Sequence, residues 1–191
     1  MAVEAAAWAR TATTQRSSRL LDLLIAASAE LDLDVAEAVL QEAAEHHLDA
    51  WTPHIRHDPD AAPTLQALRD RGLATGMLSN THWPRAYHER FLERDGLDGL
   101  LDVRVYTSEL DWTKPHPAAF TEVLDALDVA PSAAVFVGDR PLDDIRGAQQ
   151  AGMRAILRPN PHLPPEAVTP DAVIDRLPEL LAIVDRWAAE G

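Results

Sequence analysis

Six residues of this chain have types and positions that could do chemistry together: Ser79, Asn80, Lys114, Asp139, Asp143 and Asp144. The three aspartates fall within a six-residue stretch, and such carboxylates repel one another unless a cation offsets their charge. No His or Cys stands beside them, and an all-oxygen donor set suits a hard ion such as Mg2+. The alternative is that Asp143 and Asp144 only complement the positive start of a helix opening near Pro141. Lys114 is the single lysine among 17 basic residues. A site that needs a compact ammonium and not a planar guanidinium would explain it, and a solvated loop lysine is the plainer reading. Beside acids, such an ammonium neutralises charge on a transferring phosphoryl group or on the carboxylate that attacks it. Ser79 either offers its hydroxyl to a phosphate oxygen, with the N–H groups of the next helix start close behind it, or caps a turn.

The elements that must position these groups alternate in type. Residues 17–30 and 35–51 carry apolar positions at helical spacing, with Asp34 and Glu37 spaced as a capping box. The proline-rich segment 52–63 reads as a linker, so 1–57 is expected to form a helical lobe and 58–191 the remainder. Beyond the linker the sequence predicts helix 61–71 ending at Gly72, strand 73–80, helix 84–94, strand 102–108, helix 117–128, strand 133–139, helix 141–151, strand 153–159, a weaker strand 171–175 and helix 176–189. Strands alternating with helices indicate an α/β, doubly wound parallel sheet. AAVFV (133–137) fits a strand buried on both faces. In such sheets ligands bind at the carboxyl ends of the strands. Ser79-Asn80 and Asp139 sit at strand ends, and Lys114 follows in the loop after 102–108.

Composition excludes several classes. The net charge is −14 and no basic stripe is present, which disfavours nucleic acid and anionic membranes as partners. Cysteine is absent, so disulfides, thiolate metal sites and cysteine nucleophiles are ruled out. No apolar run approaches the ~20 residues of a membrane span, no signal-like start is evident, and a cytoplasmic protein is expected. No G-x-G-x-x-G occurs, so a nicotinamide enzyme is disfavoured. His46, His47, His54 and His57 match no standard zinc spacing and read as solvated lobe or linker residues. His82 and Trp83 could face substrate or pack. His116 reads as a loop residue and Gly138 as a point of close approach. Arg140 either pairs with a carboxylate or touches substrate. Trp8, Trp51, Trp112 and Trp187 read as core or lobe-interface aromatics.

GMLSNTH (76–82), TKPHPAAF (113–120) and VFVGDRPLDDIRGAQQAGM (135–153) resemble, in order and spacing, motifs II, III and IV of the haloacid dehalogenase (HAD) superfamily. The likeness runs from about Pro59 to Leu157, and 1–57 resembles the helical cap of one subgroup. The resemblance implies Ser79 and Asn80 as phosphate-side residues, Lys114 as the charge-balancing catalytic lysine, and Asp139 with Asp144 as Mg2+ ligands. It further implies a Mg2+-dependent phosphatase of a small phosphorylated metabolite, working through an aspartyl-phosphate that water hydrolyses.

The family's nucleophile belongs to an Asp-x-Asp-x-Thr/Val motif on a first strand that this sequence does not show. The Asp-x-Asp at Asp32-Leu33-Asp34 lies between two helical runs and reads as a helix end and an N-cap. That strand would stand at the sheet centre, flanked by those ending at Asn80 and Asp139. The expectations are therefore a natural start upstream of Met1 or a fragment, and no turnover by the chain as given. Two other readings stay open: a non-catalytic binding or scaffold protein, and a 2-haloacid dehalogenase-type hydrolase, against which the acidic turn argues.

Overall fold

A computed structural model describes residues 2–163 and 166–190. Among these residues eight α-helices and five short strands follow one another in chain order: α1 (Ala2–Thr14), α2 (Leu20–Glu30), α3 (Glu37–Trp51), α4 (Ala61–Asp70), β1 (Gly76–Ser79), α5 (Arg85–Arg94), β2 (Val103–Tyr106), α6 (Pro117–Leu127), β3 (Val135–Gly138), α7 (Gly147–Gln150), β4 (Arg154–Leu157), β5 (Ala172–Val173) and α8 (Glu179–Ala189). They divide into two compact units. One comprises 1–57, 79–95 and 106–113, and the other 58–78, 96–105 and 114–191.

The first unit holds more than a helical lobe. Leu20, Ala44 and Leu48 of α2 and α3 are buried against Leu24, Trp83 and Tyr87. The apolar faces of those helices thus find their cover on and just before α5, which lies between two strands in sequence. Residues 15–17 lie along 111–113: Arg16 and Trp112 form an antiparallel bridge, with the guanidinium 3.9 Å above the indole. The Asp34–Glu37 capping box does not form. Ala36 occupies the N-cap of α3 without a side-chain cap, and Asp32 takes a left-handed φ of 53° where α2 ends. Asp32 and Asp34 are both exposed. Trp51, expected in a core or at a lobe interface, is 46% exposed.

In the second unit β3, β4 and β5 are parallel, with Val135 opposite Arg154 and Ile156 opposite Ala172. Alternation along β3 sends side chains to both faces. Val135 and Val137 join Leu68 of α4, Ile156, Ile174 and Leu180 of α8 in one cluster. Phe136 meets Phe120 of α6 edge-on at 5.2 Å. Helices therefore cover both sheet faces, the doubly wound α/β arrangement expected. α4 ends as expected too: Gly72 takes φ 74° and its N–H donates to the Arg69 carbonyl.

Among the described residues β1 pairs with β2 in a separate two-stranded sheet, so the strand order breaks between β1 and β3. All four residues of β3 are half-buried, although VFVG is apolar enough for a strand covered on both sides. One edge of β3 has no partner strand among these residues.

Candidate active site

Asp144 is the hub of the arrangement. It lies in Pro141–Arg146, a single wide turn wound as π-helix between β3 and α7 where a regular helix is expected. Its Oδ2 accepts the backbone N–H groups of Asp139 at 3.0 Å and Arg140 at 2.9 Å. Its Oδ1 accepts from Lys114 Nζ at 2.6 Å. The lysine and aspartate side chains are 9% and 4% exposed. Gly138 permits this approach, because a Cβ there would stand 2.3 Å from that of Asp144. Lys114 Nζ also lies 5.0 Å from the centre of the Phe136 ring. The loop carrying Lys114 leads into α6, and His116 Nδ1 caps that helix by accepting the Ala118 N–H at 3.2 Å.

Asp139 follows β3 directly and is half-buried. Its Oδ2 accepts from Asn160 Nδ2 at 2.8 Å, while Asn160 Oδ1 accepts the His162 N–H at 3.0 Å. Sequence reasoning passes over Asn160. The signal available was its place just past a strand's carboxyl end, where ligand-side residues gather. Asp143 faces Arg140 at 3.7 Å, so Arg140 takes the carboxylate-pairing role of its two readings. Burial pushes the Asp143 carboxyl above its ordinary range, against the pull of Arg140.

Lys114, Asp139 and Asp144 are thus brought together. Ser79 and Asn80, both half-buried, end β1 in the first unit. His82 is buried there, its ring 3.9 Å from that of Trp8 and its Nδ1 3.1 Å from Ser18 Oγ, which is packing and not exposure to a ligand.

A metal at this site must be held by the donors that remain. The family resemblance implies Asp144 as one of its ligands, and the structure engages both Asp144 oxygens with Lys114 and two backbone amides. Asp139 keeps its Oδ1 outside the hydrogen bond to Asn160. Among the described residues no group of three or more His, Asp or Glu side chains is assembled around one point. Such a set fits Mg2+ held through one or two carboxylates, water and substrate phosphate, not a closed cage.

A buried ammonium–carboxylate pair under the tip of a parallel strand, with a second carboxylate at that tip, places this protein among α/β proteins whose chemistry sits at the strand ends. The chain belongs to the haloacid dehalogenase-like hydrolase family, whose pattern matches residues 3–152. It is 31% identical over 177 residues to a glyceraldehyde 3-phosphate phosphatase of Methanopyrus kandleri, covering 90% of this chain and 74% of the relative. A phosphoserine phosphatase of Thermus thermophilus is 37% identical over 127 residues, covering 64% of this chain and 49% of the relative. Among solved structures, a 2-haloacid dehalogenase from Pseudomonas syringae superimposes with a TM-score of 0.67 at 32% identity, covering 88% of this chain and 70% of that one. The chain therefore spans between about half and three quarters of these relatives. No helix among the described residues is long and apolar enough to cross a membrane.

Proposed function

We propose that this chain carries most of the site of a Mg2+-dependent phosphatase acting on a small phosphorylated metabolite. The observation that bears most on this reading is the buried Lys114–Asp144 pair beside Asp139. Asp144 holds the ammonium in place, and Lys114 offsets negative charge where a phosphoryl group and an attacking carboxylate meet. Ser79 donates its hydroxyl to a phosphate oxygen and Asn80 lies next to it as a second polar group. Asp139, steadied by Asn160, supplies the carboxylate for Mg2+, which when bound would polarise the phosphoryl oxygens and screen their charge. Asp144 stays with Lys114 in this assignment.

The nucleophile is an aspartate on a strand that would lie between β1 and β3, where the sheet order breaks. Its oxygen attacks phosphorus, the bond to the leaving alcohol breaks as that alcohol gains a proton, and water then releases phosphate and restores the carboxylate. The phosphatase relatives support this chemistry, and the β3 edge without a partner strand supports the place of the strand.

The test is hydrolysis of p-nitrophenyl phosphate with Mg2+. The 191-residue chain is expected to show no turnover above its Lys114→Ala variant. Joining an Asp-x-Asp-x-Thr strand to its N-terminus is expected to give turnover that EDTA and Lys114→Ala each abolish. Mg2+-dependent hydrolysis by the unextended chain overturns the missing-nucleophile part of the reading. EDTA-insensitive release of halide from a 2-haloacid by the extended chain replaces the phosphatase with a dehalogenase. No turnover with either substrate, alongside retained folding, favours the binding or scaffold protein.

A further inference from the structure

The turn that follows Ser79 is held by more hydrogen bonds than a connection of its length requires. Thr81 is 6% exposed, and every polar atom it has is engaged. Its N–H donates to Thr107 Oγ1 at 3.0 Å, and its carbonyl accepts from that same hydroxyl at 3.4 Å. Its own Oγ1 accepts the Trp83 N–H at 2.9 Å and lies 2.8 Å from His88 Nε2. Thr107 is completely buried. Two hydroxyls thus clamp one residue, backbone and side chain, two positions after the serine.

His88 is set to complete the clamp. Its ring stacks on the fully buried Tyr106, with centroids 4.8 Å apart and planes 15° from parallel. Phe91 meets it edge-on at 6.3 Å, and Trp83 lies 6.0 Å away. Burial drives its pKa down to about 4, against Glu89, which raises it, and with His57, which lowers it further. A neutral imidazole has one nitrogen free to accept. The Thr81 oxygen receives the Trp83 N–H and still has its own proton to give, so a His88 ring protonated on Nδ1 accepts that proton at Nε2, and the hydrogen bonds then run one way from Trp83 N–H through Thr81 O–H to His88.

We propose that His88, acting through Thr81, is a positioning residue for the phosphate-binding turn: it fixes the backbone that presents the Ser79 hydroxyl and Asn80. The inference rests on the reading of Ser79 as a phosphate ligand. A hydroxyl on a turn gives orientation only if the turn is locked to within about 0.5 Å, and packing on Tyr106 gives the lock its rigidity. Neither His88 nor Thr81 touches the substrate in this arrangement.

The test is binding of inorganic phosphate to the 191-residue chain in the presence of Mg2+, measured by calorimetry. Thr81→Val and His88→Leu are each expected to weaken binding about three- to tenfold, the loss of one hydrogen bond's orientation. The double variant should be no worse than either single one, because both act along one path. Thr81→Ser and His88→Gln, which keep a hydroxyl and an acceptor, should bind within about twofold of the parent. The Nε2 resonance of His88 should report an unprotonated acceptor in the parent and move in Thr81→Val. If His88→Leu does not fold, Thr81→Val, which conserves volume, carries the comparison. Weakening by Ser79→Ala with none from Thr81→Val or His88→Leu overturns this inference and spares the reading of Ser79. Undiminished binding by Ser79→Ala overturns that reading and the inference with it.

Discussion

At Gly138 a single hydrogen decides whether the Lys114–Asp144 pair can exist. An added methyl would meet the Cβ, Cγ and Oδ2 of Asp144 at 2.3 to 2.4 Å, and none of these is the loose end of a long side chain. Gly138→Ala is expected to lower stability by about 1–3 kcal/mol through overpacking, read as a urea midpoint. It should also loosen Lys114, read as faster chemical modification of its amine. The pair itself is a different case. Removing Lys114 alone strands a carboxylate that is 4% exposed, a loss of about 3–5 kcal/mol. Replacing both partners with apolar residues of similar size, Lys114→Met with Asp144→Leu, still orphans the Asp139 and Arg140 N–H groups but should destabilise clearly less than the two single changes added together, while abolishing any phosphate affinity. If the singles and the double destabilise additively, the two side chains are not coupled and the geometry around Lys114 means little. The lysine was legible in the sequence because it has no fellow, and Asp139 because it ends an apolar run. Asp144 was legible as an acid but not as the lysine's partner, since 30 residues separate them and only the π-turn brings them together.

Among the elements, α5 carries the largest difference between sequence pattern and structure. Its position between two strands marks it as a core helix, yet Trp83 and Tyr87 cover Leu20, Ala44 and Leu48. Periodicity says which face of a helix is apolar; it does not say which other helix that face will meet. Trp83→Ala is therefore expected to cost about 2–4 kcal/mol, below a fully buried tryptophan because the ring is only half-buried. Hydrogen exchange should locate the damage: amides of α2 and α3 lose protection while those of β3 and β4 keep theirs. Equal loss in both places would mean that α2, α3 and α5 do not form a unit of their own. The strands were the most legible elements, each being a short apolar run between turn residues, and every one lies inside its expected segment. The break in strand order was less so, because pairing is a property of neighbours and not of any one run. The half-buried β3 stands beside that break, an apolar strand with one edge that no strand among the described residues pairs.

For the molecule as a whole, acid sets two effects against each other. A net charge of −14 at neutral pH favours expansion, and protonating carboxylates as pH falls relieves that repulsion. Local pairs act in the opposite sense. Arg94 and His57 hold Asp95 below its ordinary range, the Thr75 N–H and Arg69 hold Asp102 down, and Arg71 does the same for Asp185. A carboxyl depressed on folding stabilises the native state above its unfolded pKa near 3.8, and that contribution fades as pH falls further. These three groups lie at the surface, where solvent screening leaves them little weight. His88 acts earlier and more strongly. Its folded pKa of about 4 lies below its ordinary 6.5, so between those values the unfolded chain binds a proton that the native chain refuses. Stability must then fall as pH drops through that window, by up to ~1.4 kcal/mol per unit, or about 2 kcal/mol in all once partial solvent access is allowed for. Relief of charge repulsion is spread over the whole surface and weakened by salt, so the histidine should dominate above pH 4 at about 0.15 M ionic strength. The urea midpoint is expected to fall steadily from pH 6.5 to 4 in the parent protein and to stay nearly level in His88→Gln, which keeps the acceptor for Thr81 but cannot take up the proton. Parallel decline in the two proteins would assign the acid sensitivity to the surface carboxylates and remove His88 as its source.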